Sequence, residues 1–99
     1  MFETGSFAYL KSFAMLLMSS VLLFIQGNEV GYNLYVNDEG KYFFKPTTYT
    51  NRNFFPPTFW VYKLGAQWEF DGVTAREIKE QAIEEISYHL NFDTSNLEK

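Results

Sequence analysis

Residues 13–25, FAMLLMSSVLLFI, are the stretch on which the fold of this 99-residue chain turns. No charge interrupts the sequence between Ser12 and Asn28. Ala, Leu and Met favour helix over strand, so the composition predicts a helix over residues 6–26. Three uses compete for such a helix. A transmembrane span wants about 20 apolar residues, and the run reaches that only if Lys11 snorkels and the helix extends back to Phe7. A secretory signal would use residues 1–27, but Glu3 and Lys11 cancel in its leader and Ile25-Gln26-Gly27 is a poor small-X-small cleavage site. A buried core helix, apolar nearly all round, is the leading expectation. That reading goes with a cytoplasmic protein; the other two go with an exported or membrane-attached one.

A core helix has a corollary in so short a chain. Phe7, Leu10, Ala14, Leu17 and Val21 make one helical stripe, and Phe13, Leu16, Ser20 and Phe24 make another. One domain has little material to cover both, so a two-fold homodimer is expected to cover the second.

Downstream, Gly27 and Asn28 read as a helix stop. Tyr32, Leu34 and Val36 alternate with polar or smaller neighbours, as a half-buried strand does. Asn37-Asp38-Glu39-Gly40 is a turn, residues 41–45 return as a second strand, and Pro46 is expected to end it. Residues 47–57 (TTYTNRNFFPP) show no periodicity and read as a long loop. Residues 58–63 (TFWVYK) form a β-prone third strand, and residues 67–70 (QWEF) form a short fourth after the Leu64-Gly65-Ala66 turn. Thr74 and Glu77 fit a capping box, opening a helix from about Ala75 to Leu90 with Ile78, Ala82 and Ile86 on its buried side. The polar residues 93–99 read as a tail. The expected fold is therefore α+β in two layers, a single domain over residues 1–92: N-terminal helix, four-stranded antiparallel meander, C-terminal helix, with both helices on one sheet face.

Charge is unevenly placed. Residues 40–68 hold Lys41, Lys45, Arg52 and Lys63 and no acid, while both flanks are acidic and the formal net charge is −4. Half of the twenty aromatic residues fall in that basic segment. Aromatics mixed with arginine suit a protein-binding hot spot, which selects Tyr49, Arg52, Phe54, Phe55, Trp60 and Tyr62 as partner-binding candidates. Phe54 and Phe55 could instead fold back to plug the sheet. The same segment allows weak single-stranded nucleic-acid binding, with Tyr42, Phe44, Trp60 and Tyr62 stacking and Lys41, Lys45, Arg52 and Lys63 on phosphates. Four cations would release few counterions, and the overall acidity opposes general affinity for nucleic acid.

Chemistry has little to work with. Absence of cysteine removes thiolate catalysis, disulfides and cysteine-held metals. The one histidine, His89, shares a helical spacing with Glu85 and Asp93, a metal-like pattern, yet a histidine near a helix C-terminus is equally placed for the helix dipole. Glu69 and Asp71 could be an acid–base pair, with nothing to show perturbation. No glycine-rich phosphate loop occurs. The sequence thus predicts no catalytic residue, metal or cofactor, and a non-enzymatic protein-binding or regulatory module of inhibitor, immunity or adaptor type, homodimeric and acting through the sheet face and the 47–57 loop. The alternatives are a membrane-tethered or exported protein and a nucleic-acid binder.

Overall fold

The computed structural model describes residues 15–98. Over the described part of the apolar run, the expected helix is a strand, β1 (Met15–Ile25). Residues 6–14 of that expectation lie outside the described residues. Val21, Leu23 and Ile25 are buried while Ser20, Leu22 and Phe24 between them are exposed, which is the period-two signature of a pleated strand. The reason is the turn that follows. Gln26 and Gly27 take φ of 52° and 81°, the paired positive values of a type I′ hairpin. Glycine at 27 therefore turns a hairpin rather than closing a helix, and β2 (Asn28–Asn37) pairs antiparallel along the whole of β1. The ladder satisfies the backbone and overrides helix propensity, which amounts to only tenths of a kcal/mol per residue.

The sheet is an antiparallel meander in chain order, β1-β2-β3-β4-β5, with five strands where the sequence predicts four. The other strands are β3 (Tyr42–Thr48), β4 (Phe59–Leu64) and β5 (Gln67–Asp71). Asn37 builds the β2–β3 turn: its side-chain oxygen accepts from the amides of Glu39 and Lys41, and Gly40 has φ 81°. Pro46 does not end β3, which runs two residues further. It lies opposite Tyr32 on β2, and β4 pairs with β3 only from Tyr42 to Phe44, so the missing amide costs no ladder bond.

One helix, α1 (Arg76–Glu98), covers one sheet face. Ile78, Ala82 and Ile86 bury against Val21, Leu23 and Ile25 of β1, Val30, Tyr32 and Leu34 of β2, Phe44 of β3, and Phe59 and Val61 of β4. Burying each large aliphatic or aromatic side chain contributes roughly 1.5–3 kcal/mol, so this single layer carries the stability of the domain. Two details of the helix differ from expectation. Glu77 does not reach back to its own cap: its carboxylate accepts from the Gln26 amide at 2.9 Å and ties the helix start to the β1–β2 turn. The helix also continues past Leu90 to Glu98, because residues 91–98 contain no Gly or Pro to stop it. Among the described residues, no helix is long and apolar enough to cross a membrane.

Candidate functional site

The face of the sheet opposite α1 is the candidate site. Side chains alternate along each strand, so every residue adjacent to a core position points away from the helix. Register then lines up a row across the sheet: Leu17 opposite Tyr35, Tyr35 opposite Phe43, Phe43 opposite Trp60, and Trp60 opposite Asp71. The rings in this row touch. Phe43 lies 4.7 Å from Trp60 and 6.2 Å from Tyr35, centre to centre. All three are half-buried, and Leu17 beside them is 52 % exposed.

Polar groups border this apolar row. Tyr62 lies next to Trp60's end of the row with Lys41 over its ring at 4.8 Å and Glu69 opposite on β5. Partial desolvation raises the Tyr62 phenol above its ordinary pKa, helped by Asp71, which accepts its hydrogen bond, and by the Glu69 charge. Glu69 and Asp71 thus act as neighbours of a neutral phenol. A hollow of about 250 Å³ lies among Asn37, Glu39, Lys41, Trp60, Tyr62 and Asp71. A second, of about 480 Å³, lies where Gly31 leaves the face without a side chain between Leu22, Thr47, Thr48 and Tyr49. Both are open and shallow, fit to receive protruding side chains rather than to enclose a small molecule.

The structure brings together only part of the predicted set. Trp60 and Tyr62 sit side by side on the open face. Phe54 packs against the core, and the Tyr32 hydroxyl donates to the Pro57 carbonyl at 2.7 Å, so the loop is anchored at that end. Phe55, one residue on, is 80 % exposed. The two loop phenylalanines therefore split the alternatives, one plugging and one projecting. Arg52 and Tyr49 are exposed on the same loop and join no aromatic cluster of the face. Leu17, Tyr35 and Phe43 were not among the sequence candidates. Only the register places them beside Trp60, although the alternation around Leu34 and Phe44 marks them as the outward partners.

The stacking and phosphate sets proposed for nucleic acid are divided by the sheet. Phe44 is buried under α1 and Tyr42 packs on the same side, whereas Trp60 and Tyr62 face the other way. Lys63 lies over Trp68 on the helix side at 5.1 Å. Lys41 and Lys45 alone stay with the open aromatic face, Lys41 near Asp71 and Lys45 at the other end, opposite Asn33. Of the metal-like trio, Glu85 and His89 lie on α1 and the Asp93 side chain is outside those described. No group of three metal-binding side chains occurs among the described residues, and the His89 Nε2 is buried without a hydrogen-bond partner there.

No protein-family model matches this chain, and no curated protein or solved structure is significantly similar to it.

Proposed function

We propose that this protein is a non-enzymatic protein-binding module that presents the open sheet face to a folded partner and associates as a homodimer. The observation that carries the reading is the aromatic row Tyr35–Phe43–Trp60 on the face that no described element covers, in a domain whose core is complete without it. The row has the make-up of an interaction centre: rigid aromatics in contact, half desolvated, with a polar rim of both signs from Lys41, Lys45, Glu69 and Asp71. Mixed signs suit a protein surface better than a phosphate backbone, which would meet two carboxylates on the way in. Phe55 and Arg52 on the loop between β3 and β4 supply a second, peripheral contact, so the loop adds affinity without forming the centre. Regulation by steric occupation, as inhibitors, immunity proteins and adaptors do it, follows naturally from a surface of this kind.

The experiment is affinity purification from cells that express the chain natively, using the unaltered protein beside Phe43→Ala and Trp60→Ala. A partner retained by the first and lost by both variants, each still folded by circular dichroism, supports the reading. A partner retained equally by all three places the binding surface elsewhere. Single-stranded DNA capture that Lys41→Ala weakens and added salt abolishes would favour the nucleic-acid alternative instead.

A further inference from the structure

The two edges of the sheet are built differently. β5 is five residues long and bears Glu69 and Asp71, a short charged edge that resists pairing with another strand. β1 is eleven residues long, uncharged and free of proline. Part of it is already answered. Gln81 from α1 accepts from the Phe24 amide at 2.8 Å and donates to the Phe24 carbonyl at 2.7 Å, as a neighbouring strand would, and Glu77 takes the Gln26 amide. These bonds show that the backbone of Phe24 points away from β2. By the period of two, so does that of Leu22 and of Ser20. No strand answers either among the described residues: the Ser20 carbonyl accepts only from the neighbouring Ser19 hydroxyl at 3.3 Å, a bond that an incoming amide would share or replace. At the far end the β1–β2 register shifts between Leu17 and Ser19, a bulge that turns the strand.

We propose that the β1 edge pairs antiparallel with the β1 edge of a second copy of this chain. This deepens the homodimer part of the reading above by naming its seam. A two-fold axis at Val21 sets Leu22 of one copy opposite Ser20 of the other, and each offers an outward amide and carbonyl, for four N–H···O bonds. Self-pairing is favoured by charge: the edge bears none, so two-fold repetition opposes no like charges, and a charged peptide finds no counter-ion there. Leu22 and Phe24, 53 % and 54 % exposed, gain a covering neighbour on the open face. The axis is normal to the sheet, so both aromatic rows lie on one side of a ten-stranded sheet and both helices on the other. A contact confined between Gln81 and the bulge is smaller than a standard interface of about 800 Å² per partner, as in weak, concentration-dependent associations.

The test is mass by light scattering on a sizing column across roughly 1–200 µM, a range over which a weak dimer titrates. The full chain is expected to shift from 11.6 kDa to twice that mass as concentration rises. Ser20→Pro removes the outward amide while leaving the β2 ladder intact, and Leu22→Lys puts like charges together across the axis. Each weakens the dimer at least about 30-fold, corresponding to the loss of about two hydrogen bonds, and keeps the native circular dichroism. Trp60→Ala leaves the dimer unchanged. A full chain that stays monomeric throughout overturns the proposal, as do edge variants that dimerise normally. A dimer lost in Trp60→Ala and kept in the edge variants also overturns it, and would make the aromatic face the seam. Partner loss in the Trp60 variant with an intact dimer keeps the two readings separate.

Discussion

Phe43 and Phe44 are neighbours in sequence and identical in chemistry, yet the sheet gives them opposite work. Phe44 is fully buried, stacked on Phe59 at 4.8 Å with rings nearly parallel, and meets the edge of Tyr32 at 6.2 Å. Phe→Ala in a core costs about 3–5 kcal/mol, and two aromatic pairs worth roughly 0.5–1.5 kcal/mol each place Phe44→Ala in the upper half of that range. A domain of this size has about 5–15 kcal/mol in total, so the variant should be partly unfolded near 37 °C. Phe43 is half-buried against Trp60 on a face open to water, and Phe43→Ala should cost about 1–2 kcal/mol. At about 4–8 °C per kcal/mol, it should melt roughly 5–15 °C below the parent while remaining native at room temperature. Urea titration followed by circular dichroism measures both, avoiding the tryptophan signal that Phe43→Ala itself perturbs. Equal costs, or a greater cost at Phe43, would mean that the faces of β3 are assigned the wrong way round, and the aromatic row would lose its standing as a surface.

The same logic applies on β1: Leu23→Ala should cost about 2–5 kcal/mol and Leu22→Ala, in dilute monomeric solution, under about 1 kcal/mol. Urea midpoints that match for the two would contradict the strand. Gly72 has φ 102°, and a Cβ there would lie 2.7 Å from the Thr58 carbonyl oxygen, so Gly72→Ala should destabilise by roughly 2–3 kcal/mol in thermal unfolding. An unchanged melting temperature would remove that close approach. Tyr32 is buried and held well above the ordinary tyrosine range near 10, with desolvation the cause. A raised phenol keeps its full contribution below the unfolded value, and stability is lost as pH rises beyond it because the unfolded chain ionises first. Denaturation above pH 10 should therefore steepen by up to about 1.4 kcal/mol per pH unit, and Tyr32→Phe should flatten that slope while losing the Pro57 hydrogen bond. A slope identical in the variant would exclude Tyr32 as its source.

Much of this architecture is legible in the residues. Alternation at Tyr32, Leu34 and Val36, the Asn37–Gly40 turn and the stripe of Ile78, Ala82 and Ile86 locate a hairpin and a helix with no structure at hand. The first strand is not legible, for a physical reason. Alternation is visible only when one face is polar, and β1 carries Leu22 and Phe24 outward opposite Val21, Leu23 and Ile25 inward. An edge strand apolar on both faces and rich in Leu and Met looks like a buried helix. Gly27 compounds this, since positive φ serves a helix stop and a type I′ turn equally. At the site, Trp60 and Tyr62 stand out as large residues in a basic stretch, while Leu17, Tyr35 and Phe43 depend on cross-strand register, which is a property of pairing between distant segments. Pro46 misleads because whether a strand tolerates proline depends on how far the next strand reaches.

The most direct test of the open face as a partner surface is site-specific photo-cross-linking in the cells that express the chain. A photoreactive phenylalanine analogue would replace Tyr62 on the open face, Phe55 on the loop or Tyr88 on the exposed side of α1. The account predicts one dominant heterologous adduct from position 62, a weaker one to the same protein from 55, and none from 88. An adduct dominant at 88 and missing at 62 would contradict it, placing the working surface on the helix.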